Sequence, residues 1–213
     1  MYTFLSIPII LFSVVLHEAS HGYMAYWLGD DTAKNAGRLT LNPIPHIDIF
    51  GTIILPGILL LMGLPVFGWA KPVPFNPANL RNPRRDSMWI AMAGPGSNLL
   101  LIMTCILLAK LLGNNLIYVA IMKSQGLNIG IIPSVLFAGY MINLVLMTFN
   151  LIPLPPLDGS KILMGLLPVD LAYNFSRIER FAPFLLIALL WFGSGFLNML
   201  FNLVNRIFLR IFF

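Results

Sequence analysis

His17-Glu18-Ala19-Ser20-His21 is the stretch that decides how the rest of the chain is read. On a helix, residues four apart share a face, so His17 and His21 can present imidazole nitrogens to one metal ion with Glu18 beside them. This is the H-E-x-x-H layout, in which the glutamate is placed to take a proton from a metal-bound water. Its setting is a membrane helix. Residues 4–16 are almost wholly apolar, and residues 22–28 continue with aromatic, aliphatic and small side chains. Ionisable groups inside such a span are costly and by default mark function. The chain has three histidines, and two of them stand here.

Around that stretch, 213 residues with 58% hydrophobic and 10% charged side chains describe an all-α polytopic membrane protein, because soluble domains carry about 25% charged residues. Mean hydropathy is +0.86. No segment between the apolar runs is long or mixed enough to build a core of its own, so a single transmembrane domain over 1–213 is expected. The net charge of +5 reads as a positive-inside bias and an attraction to anionic lipid. Clustered basic residues with interleaved aromatics are absent, which argues against a nucleic-acid partner. The one cysteine, Cys105, excludes an intrachain disulfide and a cysteine metal site, and reads as a small buried hydrophobe. No cleavage site follows the apolar N-terminus, so it is expected to remain as the first transmembrane helix.

That helix should run from about residue 3 to 28, where Gly29-Asp30-Asp31 stops it. Gly37-Arg38-Leu39-Thr40-Leu41 reads as a short strand before the Asn42-Pro43 turn. Ile49 to Val66 is apolar but short and interrupted by Gly51, Pro56, Gly57, Gly63 and Pro65, as a re-entrant segment or short hairpin would be. Trp69 to Phe75, with Pro72 and Pro74, must be extended. Clear crossings follow at Met88 to Leu112, at about Ile129 to Phe149, and at Pro183 to Val204 as an extra C-terminal helix. Between the last two, Pro153, Pro155 and Pro156 break the chain ahead of Asp158. A core over 1–160 and C-terminal helices over 161–213 result.

A catalytic zinc keeps three protein ligands, so the histidines need a third partner. Asp158 is the best by chemistry, a carboxylate on broken backbone at membrane depth. Two alternatives stay open: Asp158 as an N-cap for the helix that follows, and His46 or Asp48 as the ligand. His17 lies ~20 Å along its helix from Thr3, in the far half of the bilayer. Asp158 comes equally late after Ile129, so the two helices must run parallel. The Met88 crossing then lies between them, and Ile49 to Phe75 makes no net crossing. With that topology Lys34, Arg38, Lys71, Arg81, Arg84, Arg85, Lys161, Arg177 and Arg180 share the zinc side, against Lys110, Lys123, Arg206 and Arg210. Nine against four puts the site in the cytoplasmic half of the cell membrane.

His17-Glu18-x-x-His21 in one crossing, Gly94-x-x-x-Asn98 in the next and Asn150-x-x-Pro153 leading to Leu157-Asp158-Gly159 resemble the site-2 protease family, the zinc intramembrane metalloproteases. The resemblance implies a three-helix catalytic core that cleaves transmembrane segments of membrane-protein substrates. It implies one Zn²⁺ held by His17, His21 and Asp158, with Glu18 as general base and Asn98 and Asn150 lining the active site. Unlike many relatives, the chain shows no PDZ or nucleotide-sensing domain. Hydrolysis in lipid needs a polar path for water, for which Ser20, Ser97, Asn98, Asn143 and Asn150 are the candidates. A substrate helix must unwind to be cut, and Gly37 to Leu41 or Trp69 to Phe75 are candidate edges to hold it extended. Asn98 or Asn150 is placed in sequence to donate to an oxyanion. The competing class is a non-proteolytic metal-binding membrane protein such as a divalent-cation carrier, which has no need of Glu18.

Overall fold

Helix α1 (Thr3–Trp27) carries the histidine motif and ends where Gly29 takes a φ of +102°, a value that favours glycine. The computed structural model describes residues 3–63, 68–127 and 130–212, and no strand occurs among them. After α1 come a single turn, α2 (Thr32–Asn35), a π-helical turn (Ile49–Ile54) running into α3 (Leu55–Leu61), and the extended stretch around residues 69–75. Then follow α4 (Pro83–Leu111), α5 (Leu116–Ser124), α6 (Ile131–Asn150), α7 (Asp158–Leu166), α8 (Val169–Ser176), α9 (Ala182–Phe192) and α10 (Ser194–Phe212).

Among the described residues α4, α6 and α10 are long and apolar enough to cross a membrane. Helix α1 has the length, ~38 Å at 1.5 Å per residue, but its second half carries the polar motif. The bundle is turned outward for lipid: Leu100 and Leu111 on α4 are 70% and 73% exposed, and Phe192 is 86% exposed. Surfaces of that kind suit hydrocarbon.

Helix α4 starts well because Pro83 needs no N–H in the first turn and the Asp86 carboxylate accepts from the Asn82 amide at 2.8 Å. Its core is shared with α5 and α6: Ile102, Ile106, Leu116, Leu136, Tyr140 and Leu144 are buried together, and Val204 and Phe208 of α10 pack on them. Contacts fix the directions. His17 meets Asn98 while His21 meets Ile90, so α1 and α4 are antiparallel. Ser13 meets Asn143 near the middle of α6, and both helices run on to the same end, so α1 and α6 are parallel as their shared depth requires.

The stretch after residue 46 leaves and returns to one place. Trp69 donates its amide to Gly51 O at 3.1 Å, and Lys71 to His46 O at 2.9 Å. The helical turns between, residues 49–61, span only ~20 Å against a hydrocarbon core of ~30 Å. Val66, the expected end of this segment, and Ile129, the expected start of the third crossing, lie outside the described residues.

Two sequence expectations are corrected. Gly37 to Leu41 forms no strand: Arg38 is buried, and its guanidinium donates to Pro45 O, to Lys71 O at 2.5 Å and to Pro72 O at 3.2 Å, which holds this loop against the extended stretch. The run from Pro183 to Val204 is not one helix. It breaks at Gly193, and the crossing-length helix is Ser194–Phe212, whose inner face packs on α6. Hydropathy marks an apolar run but not where its hydrogen-bond ladder is interrupted.

Candidate metal centre

Helix α1 supplies two side chains and the first residue of α7 a third. His17 Nε2 lies 3.2 Å and His21 Nε2 3.3 Å from Asp158 Oδ2, and one ligand atom from each residue falls within 4.8 Å of the others. Two glycines permit this. A Cβ on Gly94 would sit 2.6 Å from His17 Cε1 and closer still to His21 Nε2, so only glycine lets α4 pass against both rings. A Cβ on Gly159 would run into the Leu151 and Ile152 carbonyls, so glycine lets the proline-broken segment fold back and start α7 at the site.

The donor set fits a divalent cation. His21 Nδ1 is 2.7 Å from the Ile90 carbonyl, which can only accept, so in the neutral ring the proton sits on Nδ1 and the Nε2 lone pair faces Asp158. Ile90 O lies one turn before Gly94 on α4, and its second lone pair is open to the ring even while the first serves the helix ladder. Asp158 Oδ2 is buried and receives no hydrogen bond. With the rings neutral, a lone pair and a carboxylate oxygen converge at one point that a divalent cation would fill, and two imidazoles with one carboxylate is a ligand set of catalytic zinc.

Asp158 stands at the first position of α7 and caps no backbone amide, which removes the N-cap alternative. The rival loop ligands are engaged elsewhere. His46 is buried with Nε2 3.0 Å from Thr40 O, and Asp48 accepts from the Gly51 amide at 2.6 Å.

Glu18 lies beside the cluster, and its Oε2 accepts from the Val73 amide at 3.1 Å. A cavity of about 160 Å³ is lined by His17, Glu18, His21, Asp158, Asn150 and Lys161 with Pro72, Val73 and Phe75. A second, of about 270 Å³, shares His17, Glu18, Asn150 and Pro156 and continues over Val14, Leu146, Phe149, Leu186 and Leu190. Asn150 faces both cavities while donating to Leu146 O at 3.0 Å. Asn98 does not line them. It is fully buried behind His17, with Oδ1 2.6 Å from His17 Nδ1 and Nδ2 donating to Asn143 Oδ1 at 2.9 Å, so its amide is engaged behind the ring and not at a cavity wall. Trp69 to Phe75 is a poor free edge, because the Trp69, Lys71 and Val73 amides are taken and Pro72 and Pro74 have none. Ile90 O and the Val73 amide escaped the sequence reading because backbone groups leave no residue signal.

Over 205 residues the chain is 38% identical to the Bacillus subtilis (strain 168) protein named "Putative zinc metalloprotease YwhC", covering 95% of this chain and 88% of that one. The chain belongs to peptidase family M50, the site-2 proteases. The model of this family matches residues 110–193, the part of the chain that contains Asp158. A Mycolicibacterium smegmatis protein named "Putative zinc metalloprotease Rip2" is 26% identical over 149 residues, covering 70% of this chain and 52% of that one. No solved structure matches. This M50 peptidase is thus a zinc metallopeptidase in a multi-pass membrane protein.

Proposed function

We propose that this chain is an intramembrane endopeptidase that binds one Zn²⁺ through His17, His21 and Asp158 and cleaves transmembrane segments of membrane proteins, with Glu18 as general base. The convergence of three ligand atoms within 4.8 Å, in a chain whose α4, α6 and α10 are long and apolar enough to cross a membrane, carries the reading. When bound, Zn²⁺ supplies a Lewis acid for the scissile carbonyl and lowers the pKa of water. Glu18, adjacent to both rings yet outside the ligand set, takes the proton of the attacking water and returns it to the leaving amine. Val73 donates to the Glu18 carboxylate and so aims it before substrate arrives. Asn150, on the shared wall of both cavities, can turn its amide from Leu146 O toward the oxyanion. Apolar side chains of an unwound substrate fit the second cavity, walled by Val14, Phe149, Leu186 and Leu190. Basic residues concentrated on the zinc side support a site in the cytoplasmic half of the cell membrane.

Glu18→Gln tests the assignment. It keeps the volume and a hydrogen-bonding oxygen but loses the base, so cleavage of a transmembrane test substrate should fall by ~10²–10⁴-fold. Zinc content of the purified protein should stay at the wild-type level. Loss of zinc together with activity would make Glu18 a ligand and overturn the roles. Metal flux across proteoliposomes without cleavage by wild type would make the chain a carrier.

A further inference from the structure

Behind His17, buried amides link a backbone carbonyl to a proposed metal ligand. Gly139 O on α6 can only accept, and Asn143 donates to it from Nδ2 at 2.8 Å. The same nitrogen donates to Ser13 Oγ on α1 at 3.0 Å. The Gly139 carbonyl decides which end of the Asn143 amide is which, with the Ser13 hydroxyl turning to suit, so Oδ1 faces Asn98 and receives Nδ2 at 2.9 Å. That contact in turn orients Asn98, whose Oδ1 lies 2.6 Å from His17 Nδ1. An acceptor at this point requires the proton on Nδ1, which leaves the Nε2 lone pair for the metal.

Ser13, Asn98 and Asn143 are all buried, at 1%, 0% and 2% exposure, so no solvent stands by to replace a lost partner. Were Asn98 reversed, its Nδ2 would point at Nδ1, the ring proton would move to Nε2, and the ligand position would be blocked. We propose that Asn143 is a positioning residue for the metal: through Asn98 it holds His17 in the Nδ1–H tautomer, so that Nε2 is presented to zinc. This rests on His17 being a zinc ligand. The plainer role for Asn143, a polar link between α1 and α6, predicts a different mutational pattern.

The pattern is a rescue. Asn143→Leu removes the acceptor that orients Asn98, and zinc affinity of the purified full chain, measured by competition with a chromophoric chelator, should fall by about 10–100-fold. Adding Asn98→Asp should recover about tenfold or more of that loss, because a carboxylate accepts from Nδ1–H whichever way it is turned. Asn143→Ala and its Asn98→Asp double variant run alongside, so that the bulk of leucine does not decide the result, and gel filtration selects monodisperse samples. A helix-linking role gives no rescue, since Asn98→Asp adds nothing between α1 and α6. Wild-type affinity in the single variants, or doubles no tighter than singles, overturns the proposal. His17→Ala with undiminished zinc affinity overturns the zinc site itself, and the positioning role with it.

Discussion

Gly94→Ala is the smallest change that should empty the metal centre. The added Cβ would lie 2.6 Å from His17 Cε1 and closer to His21 Nε2, where carbon contacts ordinarily fall at about 3.5–4.0 Å, so the rings must retreat by about 1 Å. Neither ring is free to follow. His17 is tied to Asn98 and His21 to Ile90, one turn to either side of Gly94 on the same helix. Zinc–ligand distances tolerate about 0.2 Å, so the displacement exceeds what the site can absorb, and affinity should fall by more than the 10–100-fold typical of losing an outer hydrogen bond. Zinc content after dialysis against a chelator, with cleavage of a transmembrane substrate, is the assay. Helicity by circular dichroism should be retained, since alanine is favoured over glycine in a helix by about 0.5–1 kcal/mol. Gly96→Ala is the control: a Cβ at Gly96 meets nothing within 4 Å, and its zinc content should match wild type. Full zinc and normal cleavage in Gly94→Ala would refute the close-approach reasoning.

Asp158→Ala should strip zinc from the purified protein, whereas His46→Ala should leave zinc content near wild type because His46 is turned to Thr40 O; the opposite result would move the site to the loop. On a Cys105→Ala background, single cysteines at Thr40 and Asn82 should both be labelled from the cytoplasmic face by an impermeant reagent, and labelling from opposite faces would contradict the return of the chain after residue 46. Asp30 is fully buried, and although burial would raise its pKa, hydrogen bonds from Thr32, Asn79 and the Asn76 amide hold it below the ordinary value. A depressed folded-state pKa stabilises above the unfolded value of about 3.9 and is lost as pH falls through the folded value, so acid should loosen the tie between the end of α1 and residues 76–79. Thermal melts from pH 6 downward should therefore decline less steeply for Asp30→Asn than for wild type, and parallel curves would remove Asp30 from the account.

An all-α membrane protein with a histidine pair on its first helix was legible from the residues alone. Residues four apart on an apolar helix put His17 and His21 on one face whatever surrounds them, and Glu18 cannot be far from either. Apolar runs longer than a bilayer needs fixed α4 and α6, and three prolines had to break the chain before Asp158. Helix boundaries inside apolar sequence were less legible: the break at Gly193 and the missing strand at Gly37 to Leu41 depend on contacts with distant residues, Arg38 above all. Tertiary structure alone brought Asp158, and not His46 or Asp48, up to the two histidines, because that proximity is a distance between helices about 140 residues apart in the chain. It also moved Asn98 from the cavity wall to a place behind His17. A polar residue on a buried helix face faces whichever partner the packing brings, and Asn98 received Asn143 on one side and the imidazole on the other.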